Sequence, residues 1–414
     1  MNGTPSEHVP RRVLLHVGVP KTGTSFMQHW LLAHREALLD QGICYPADRF
    51  DEHFLAALDL MELTWGGLEK QAVGAWDRLA ERARSFAGTV IVSHEILAYA
   101  STEQARRAVA SFGDDAEVHV VVSARDLARQ IPAEWQENVK HRRTIGYHDF
   151  LAKITDPRRR GELASWFWGV QEVPDVLDRW GHELPADRVH LVTVPRPGAP
   201  PDLLWRRFAC VFGLDSDAFD PDLNGSAQAR ANPSLGVPES ALLRRVNVRV
   251  NSADLANADY RQFVRELLAH RTLATRTGSA RLSLPEDRRG WVEEVSRAWV
   301  EVLSDKGYHV VGSLDELLPA PVGAFIDPDA ADEAAVNGAA VLAIDALVSE
   351  AARLQQAERR LRAELAAALA ELDRARGAIY RVKRRLVRYA DRNRAAALAL
   401  AAYRWVRGKS SRSA

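Results

Sequence analysis

The fold is decided by residues 13–25, which read VLLHVGVPKTGTS. The first part, residues 13–19, is an apolar run rich in valine and is typical of a buried β-strand. Residues 20–25 combine proline and glycine with lysine and hydroxyl side chains, as tight loops do. Apolar residues then recur at helical spacing over residues 26–39. The stretch therefore predicts a strand, a tight loop and a helix in succession.

Later segments repeat the character of this first strand, at residues 89–93, 117–123 and 188–194. Enough chain lies between them for one or more helices each. Helical patterns continue beyond them at residues 202–212, 239–250, 259–270 and 291–303. Continuous apolar strands that alternate with helices are typical of a parallel sheet covered on both faces. We therefore expect an α/β fold, with a parallel sheet flanked by helices.

Changes in composition divide the chain into segments. We expect an α/β domain over residues 12–318, a proline-containing linker at 319–331, a coiled-coil helix at 332–394 and a basic amphipathic tail at 395–414. The long helix carries a seven-residue repeat with two seam positions, the pattern of a coiled coil. One seam position is occupied by Ile344, Ala351, Glu358, Leu365, Leu372, Ile379 and Leu386, and the other by Leu347, Leu354, Leu361, Ala368, Ala375, Val382 and Tyr389.

The overall composition excludes several classes of protein. The 55 basic residues balance the 55 acidic residues, so the whole chain has no net attraction for nucleic acid or an anionic membrane. Two cysteines, Cys44 and Cys210, are too few for a disulfide framework and lack the spacing of a zinc site. The chain starts without the apolar core of a signal peptide, and no stretch reaches the roughly 18 to 20 apolar residues of a membrane span. We therefore expect a cytoplasmic protein, and the excess of arginine and alanine indicates a bacterial genome.

Charge is nevertheless concentrated at the end of the chain. From Arg374 onward, eleven arginines and two lysines face the single acid Asp391, which gives a net charge of +12. The apolar run at residues 395–403, followed by Trp405, is too short to span a bilayer but fits a membrane interface. We therefore expect self-association through the coiled coil and peripheral contact of the tail with anionic membranes, at the inner face of the cell membrane. A solvent-exposed helix without a partner is the alternative, and nucleic acid is not expected as a partner.

The loop at residues 20–25 has the features of an anion site. Backbone N–H groups and the positive end of a helix converge at a strand-to-helix turn, and Lys21 adds a full charge. Hydroxyl donors follow at Thr22, Thr24 and Ser25, while Gly18 and Gly23 let the backbone approach a ligand closely. In a nucleotide triphosphatase the lysine follows the second glycine, whereas here it precedes Thr-Gly-Thr. The triphosphatase pattern therefore fails.

The order Pro-Lys-Thr-Gly-Thr-Ser directly after a first strand resembles the 5′-phosphosulfate-binding loop of sulfotransferases. These enzymes use 3′-phosphoadenosine 5′-phosphosulfate (PAPS), in a fold with a P-loop-like strand, loop and helix. The resemblance implies that the donor is bound by Gly18, Lys21, Thr22, Gly23, Thr24 and Ser25. It covers roughly residues 12–315, although its specific motifs are short.

A second segment of the resemblance concerns the 3′-phosphate of PAPS. Family members hold this group with an arginine at the end of a later strand and with a serine eight positions on. Arg125 stands at the arginine position here, and its guanidinium suits a phosphate dianion. The serine position is occupied by Ala133, which departs from the family pattern. We expect Arg129, Gln130 or Gln136 to supply a hydrogen-bond donor in place of the serine. For Arg125, the alternative to phosphate binding is a surface ion pair.

Transfer of a sulfuryl group to an alcohol is an in-line displacement that needs a base and a cation but no obligatory metal. Lys21 is the expected cation. Ser93-His94-Glu95 follows the second predicted strand, at the sheet edge where ligands of open α/β folds bind. The resemblance to the carbohydrate-type branch favours Glu95 over His94 as the base, and a helix cap without catalytic role is the alternative for both. His16, inside the first strand, is expected only to pack.

The acceptor is expected to bind between the Arg125 helix and the strand at 188–194. This region contains basic runs at 140–143 and 158–160 beside Trp166 and Trp168. Cations next to indoles suit a sugar with acidic groups. The alternatives are that the tryptophans pack in the core and that the basic runs lie on a solvated face. The sequence thus predicts transfer from PAPS to a hydroxyl or amine of a carbohydrate, glycolipid or other small acceptor. The alternatives are a nucleotide-dependent kinase with an atypical phosphate loop and a non-catalytic coiled-coil scaffold with a degenerate α/β domain.

Overall fold

The structure is a computed structural model that describes residues 11–215, 219, 234–320 and 323–410, without the side chains of 400 and 404–410. The chain divides into two compact units, Met1–Ile344 and Asp345–Ala414. The first unit contains a parallel sheet flanked by helices, and the described part of the second is mainly helix.

Six parallel strands form the sheet in the order β2-β3-β1-β4-β5-β6. Their bounds are β1 Arg11–Gly18, β2 Ile43–Cys44, β3 Thr89–Ser93, β4 Ala116–Ala124, β5 Val189–Thr193 and β6 His309–Val311. The four predicted strands are confirmed as β1, β3, β4 and β5. The short edge strands β2 and β6 were not predicted, because two or three residues give too little pattern to recognise.

Side chains of the strands alternate between two covered faces. Leu14 of β1 packs with helices that carry Trp30 and Phe208, whereas Leu15 belongs to a larger core on the opposite face. Both leucines are fully buried. The predicted parallel sheet with helices on both faces is therefore confirmed.

The helices of the first unit are α1 Thr24–Ala33, α2 Arg35–Leu39, α3 Glu52–Met61, α4 Glu69–Ala72, α5 Ala75–Arg84, α6 Thr102–Ala110, α7 Leu127–Lys140, α8 Tyr147–Thr155, α9 Glu162–Gln171, α10 Val173–Gly181, α11 Leu203–Phe212, α12 Val237–Ser252, α13 Asn257–Asp259 and α14 Arg289–Ser304. A π-helical segment, Tyr260–Thr272, continues α13, and a 3₁₀ helix, Glu95–Tyr99, follows β3. The remaining single-turn 3₁₀ helices are Ala186–Arg188, Leu273–Thr275, Glu286–Arg288, Leu314–Leu317 and Pro328–Ala330.

The helix predicted at 26–39 is divided in two at His34. The imidazole Nδ1 of His34 donates to the carbonyl of Trp30 at 2.9 Å, and the backbone N–H of His34 donates to the same oxygen at 3.0 Å. The backbone leaves helical geometry there, with φ −103° and ψ 10°. A local side-chain bond to a helical carbonyl thus interrupts a continuous apolar pattern.

The described part of the segment predicted as a linker contacts the first unit. Asp327 Oδ2 lies 3.0 Å from His148 Nε2, and the backbone N–H of His148 donates to Asp329 Oδ2 at 3.0 Å. Arg244 pairs with Asp329 at 3.2 Å. These contacts hold the segment along the start of α8 and one face of α12.

A single long helix, α15 Glu333–Ala390, leads into the second unit, and α16 Arg394–Ser410 ends the described chain. The predicted long helix is confirmed. Its first turns belong to the first unit, where Val336, Ala339 and Ala343 are buried. Further along, the seam residues are exposed, Leu361 by 59% and Leu365 by 61%.

By length and composition alone, helix α15 is long and apolar enough to cross a membrane, since one stretch of 18 residues in it has a mean hydropathy of 1.4. The expectation that no stretch is apolar enough is therefore wrong by this measure. One such helix is weak evidence for a membrane span, since buried helix faces have the same composition. Residues 411–414 of the predicted basic tail, and the side chains of 404–410, lie outside the described structure.

Candidate active site

The loop between β1 and α1 lies at the carboxyl edge of the sheet, beside β4. Thr22 Oγ1 lies 2.6 Å from the Val19 carbonyl and 2.6 Å from Ser123 Oγ of β4. Ser123 Oγ in turn donates to the carbonyl of Gly18 at 3.0 Å. Thr22 and Thr24 are both buried. The hydroxyl of Thr22 therefore holds the loop to β4, a role that the sequence did not predict.

Two glycines give the loop its shape. Gly18 has φ 117°, and a Cβ atom there would lie 2.7 Å from the carbonyl oxygen of Glu95. Gly23 has φ 90° and is the N-cap of α1, where no side chain caps the helix. The first N–H groups of α1 are therefore left without a side-chain partner, as an anion site requires.

Lys21 is the cation of the loop, and its backbone has the left-handed conformation with φ 67°. Such a conformation is uncommon for a residue other than glycine and recurs at functional sites. The ammonium group of Lys21 forms a short ion pair with Glu137 of α7. Glu137 also lies 3.1 Å from His141 Nε2 and 3.5 Å from Arg265. Burial raises the pKa of Glu137, but Lys21 and His141 outweigh burial and hold that pKa well below its usual value.

Glu95 and His94 follow β3 and are both half-buried. Glu95 Oε2 accepts a hydrogen bond from Gln28 Nε2 at 2.8 Å. Burial raises the pKa of Glu95, but His94, the bond from Gln28 and Lys21 together lower it. Glu95 is thus a carboxylate at neutral pH and has the right ionisation for a base.

His94 caps the 3₁₀ helix Glu95–Tyr99, since its Nδ1 accepts the N–H of Ile96 at 3.3 Å. Burial lowers the pKa of His94, with Glu95 opposing the shift, so the ring is neutral at pH 7. The structure therefore brings both candidate bases to the loop and gives His94 a capping role as well.

A third carboxyl group, Glu134 of α7, was missed by the sequence analysis. It is buried, and its Oε1 accepts a hydrogen bond from Gln171 Nε2 at 3.1 Å. Burial raises the pKa of Glu134 to about 7, against the opposing charge of Lys21, while Glu137 and Glu95 reinforce the increase. Its spacing of three residues from Glu137 places both on one helix face, and this spacing is the signal that could have found the pair.

Arg125 follows β4 and has no ion-pair or hydrogen-bond partner within the described residues. Burial, and secondarily Arg129, lowers the pKa of Arg125 to about 10. The guanidinium is therefore charged at neutral pH and unpaired. This arrangement differs from the surface ion pair considered as the alternative.

The three side chains proposed to replace the serine at Ala133 are already bonded elsewhere. Arg129 binds Asp126 and the carbonyls of residues 194 and 195. Gln136 exchanges two hydrogen bonds with the backbone of Leu235, at 2.8 and 3.0 Å. Gln130 donates to the carbonyl of Pro20 in the loop and to the side chain of Gln171, so it links the loop to helices α7 and α9. Ala133 itself is half-buried.

His16 lies in β1 between the neighbouring strands. Its Nδ1 is 2.8 Å from Ser93 Oγ, and its Nε2 is 3.1 Å from Ser123 Oγ. Burial lowers the pKa of His16 to about 4. A neutral ring thus joins β3 to β4 beneath the loop, a structural role that agrees with the prediction.

The predicted acceptor region divides into buried and accessible parts. Trp168 is a core residue whose indole N–H donates to the carbonyl of Ile154 at 2.9 Å, whereas Trp166 is half-buried. A cavity of about 340 Å³ is lined by Arg143 of the first basic run, Arg160 of the second basic run and Lys153, among others. Arg143 also pairs with Glu162.

His148, Asp327 and Asp329 form a group of potential metal ligands. His148 pairs with Asp327 at 3.0 Å, and the carboxylate of Asp329 is matched by Arg244 at 3.2 Å. Both acids thus have partners within the protein, and none of these residues belongs to the loop. That the proposed reaction needs no metal remains a prediction.

Comparison with known proteins gives little. No protein-family model and no curated protein matches the chain. Among solved structures, the crystal structure of a sulfotransferase from Alicyclobacillus acidocaldarius matches 60% of this chain and 98% of its own, with 18% identity and a TM-score of 0.36. A match at this level does not assign the chain to a family.

Proposed function

We propose that the protein is a sulfotransferase that uses PAPS as the sulfuryl donor. The observation that carries the proposal is the placement of two cationic side chains at the ends of neighbouring strands. Lys21 follows β1 in a strand–loop–helix turn, and the unpaired Arg125 follows β4. PAPS has two anionic ends, the 5′-phosphosulfate and the 3′-phosphate, and this pair of cations matches that charge distribution.

The proposed chemistry is an in-line displacement. The hydroxyl or amine of the acceptor attacks sulfur, the bond from sulfur to the 5′-phosphate oxygen breaks, and 3′-phosphoadenosine 5′-phosphate leaves. Lys21 stabilises the charge that grows on the leaving oxygen, and the N-terminus of α1 assists. Glu95 takes the acceptor proton, with His94 as the alternative base.

The loop geometry also bears on the kinase alternative. A kinase phosphate loop presents a hydroxyl to magnesium. Here the hydroxyl next to Lys21 belongs to Thr22, which is buried and bonded to Val19 and Ser123. This bonding counts against a magnesium-binding hydroxyl, and it equally counts against the predicted contact of the Thr22 hydroxyl with the donor.

Calorimetry tests the donor assignment directly. We expect 3′-phosphoadenosine 5′-phosphate to bind the full-length protein, and ATP with magnesium to bind much more weakly. The reverse ranking would contradict the proposal. Incubation with ³⁵S-labelled PAPS and a bacterial cell extract, followed by identification of the labelled product, would identify the acceptor among carbohydrates, glycolipids and small molecules.

We further propose that two copies of the chain associate through α15. Its seam residues from Ile344 to Tyr389 follow a heptad repeat. Ten of these seam side chains are large, apolar and more than one-third exposed, namely Ile344, Leu347, Leu354, Leu361, Leu365, Leu372, Ile379, Val382, Leu386 and Tyr389. A second copy would bury this stripe by the packing that heptad repeats favour.

The basic end of the chain is proposed to bind anionic membranes peripherally, at the inner face of the cell membrane. Two free cysteines agree with a reducing compartment. Each basic side chain near an anionic surface contributes about 1 kcal/mol. Co-sedimentation with phosphatidylglycerol vesicles tests this point. Replacing Arg384, Arg385 and Arg388 by glutamine in the full-length protein should reduce pelleting at low salt; equal pelleting, or none by the wild type, would contradict it.

A further inference from the structure

A row of four aromatic side chains lies beside the loop. We call Phe54, Trp65, Trp166 and Tyr99 the aromatic row. The ring centroids of Phe54 and Trp65 are 5.7 Å apart, those of Trp65 and Trp166 are 5.8 Å apart, and those of Tyr99 and Trp166 are 4.7 Å apart. All four side chains are half-buried. The ring planes of these three pairs are inclined by 84°, 52° and 34°, and each side chain packs against the core while part of its surface stays accessible.

One of the two candidate bases, His94, contacts this row. The ring of Phe54 lies 5.1 Å from the ring of His94, the residue before Glu95. Trp65 lies 5.9 Å from His141, whose Nε2 is 3.1 Å from Glu137. Glu137 pairs in turn with Lys21. A molecule on the row would therefore lie beside His94, and His141 and Glu137 connect the row to Lys21.

The surroundings of Trp65 and Tyr99 fix their positions. Glu69 Oε2 accepts the backbone N–H groups of Trp65 and Gly67, both at 3.0 Å, and so holds the turn that carries Trp65. A Cβ atom on Gly169 would lie 2.6 Å from the ring of Tyr99, so the glycine makes room for that ring. Tyr99 also ends the 3₁₀ helix that begins at Glu95.

Most core tryptophans use their indole N–H groups inside the protein; an exception is Trp205, whose buried nitrogen has no partner within the described residues. Five buried tryptophans donate to internal acceptors, namely Trp76, Trp135, Trp168, Trp180 and Trp299. Trp65 and Trp166 make no such bond within the described residues, and their nitrogens are not buried. A half-buried indole with an unused N–H can stack on a ring and also donate to its hydroxyl groups.

We propose that the aromatic row is the acceptor subsite and that it binds a sugar ring. The axial C–H groups of a pyranose form an apolar face that packs on indoles, and its equatorial hydroxyls reach the indole N–H groups and the base. None of the four side chains carries a charge, so the row selects a neutral ring face. This inference rests on the proposed function, because it supplies the acceptor for that reaction.

Saturation-transfer NMR on the full-length protein tests the subsite. The probes are the methyl pyranosides of glucose, galactose, mannose and N-acetylglucosamine, each measured with 3′-phosphoadenosine 5′-phosphate present. We expect at least one to receive saturation at its ring C–H protons. The signal should fall about tenfold in Trp65→Ala and in Trp166→Ala, and Trp65→Phe should retain most of it. Trp291→Ala is the matched control, since this half-buried indole packs on Trp168 outside the row.

Folding of each variant is checked by its thermal melt, and donor binding by calorimetry. 4-Nitrophenol is measured in the same way as an aromatic control ligand. If no pyranoside binds the wild type, whether or not 4-nitrophenol receives saturation, the sugar subsite is wrong. The same holds if Trp65→Ala and Trp291→Ala lose equal signal. Failure of 3′-phosphoadenosine 5′-phosphate to bind would contradict the proposed function instead, and a pyranoside signal that depends on Trp65 would still support the subsite.

Discussion

Lys21 and Glu137 form an ion pair that joins the loop after β1 to helix α7. The pair has a consequence for the proposed reaction, because Lys21 must exchange this carboxylate for the anionic donor. Glu137 keeps two other neighbours, the imidazole of His141 and the cationic Arg265, which can hold it after the exchange. Before the donor binds, the charge of Lys21 is thus balanced by Glu137. Replacing Lys21 tests the proposed role of the loop directly.

Replacing Lys21 by alanine should abolish transfer and leave the fold intact. In the proposed reaction Lys21 stabilises the charge that grows on the leaving oxygen in the transition state, and one such group contributes a factor of about 10² to 10³ in rate. Steady-state kinetics with PAPS and circular dichroism measure the two effects. Lys306→Ala is the control, because that lysine pairs with Asp178 on the surface. Turnover of Lys21→Ala within tenfold of the wild type would contradict the loop assignment.

Removal of the Arg125 guanidinium should raise the KM for PAPS and change kcat little. The 3′-phosphate is remote from the reacting sulfur, so its contacts are equal in ground and transition states. Arg297→Ala removes a surface cation paired with Glu293 and should have no effect. A second measurement compares PAPS with its 3′-dephosphorylated analogue. Equal binding of the two by the wild type would show that Arg125 has another role.

The assignment of the base predicts different effects for Glu95→Gln and His94→Ala. Glutamine keeps the bond to Gln28 but cannot accept a proton, so kcat should fall steeply with little change in donor affinity. His94→Ala removes the cap on Ile96 and should lower stability by about 1 kcal/mol with a milder loss of rate. Kinetics and thermal melts separate the two. The reverse order of kcat would transfer the role of base to His94.

The sequence predicted those features of the fold that depend on residues close together in the chain. The apolar run at 13–19, the loop at 20–25 and the position of Arg125 after a strand all follow from short-range patterns. What the sequence could not show is which side chains meet across the fold. Gln136 is one of the three side chains that the sequence offers in place of the missing serine, yet it binds the backbone of Leu235, 99 residues away. Its direction depends on how α7 packs, and packing is not a property of the local pattern.

The acids of α7 illustrate the same limit. The helical spacing of Glu134 and Glu137 is visible in the sequence, but their charges depend on burial and on Lys21, which is 116 residues before Glu137. Burial raises the pKa of both carboxyl groups and Lys21 lowers both, but burial prevails at Glu134, whereas Lys21 and His141 prevail at Glu137. Two similar residues on one helix face thus acquire different ionisation from contacts made only in the folded chain.

Glu134 should make the stability of the protein fall as the pH rises from about 4.5 to 7. Its pKa is raised to about 7 in the fold from a usual value of 4.5, so the folded state binds more protons over that interval. The favourable contribution is complete below the lower value and is lost as the pH rises through the higher one; the difference is about 3 kcal/mol. Denaturant unfolding at several pH values measures it. In Glu134→Gln this part of the pH dependence should disappear, and an unchanged profile would contradict the role of burial.

The seam of α15 predicts a dimer that one charge disrupts. Leu361 occupies a seam position and Ala363 lies on the opposite side of the heptad, while both are exposed in the single chain. Glutamate is nearly as good a helix former as leucine, so Leu361→Glu keeps the helix but places a charge in the seam. Sedimentation velocity of the full-length protein should show a dimer for the wild type and for Ala363→Glu, and a monomer for Leu361→Glu. A monomeric wild type, or equal behaviour of both variants, would mean that α15 does not associate through this seam.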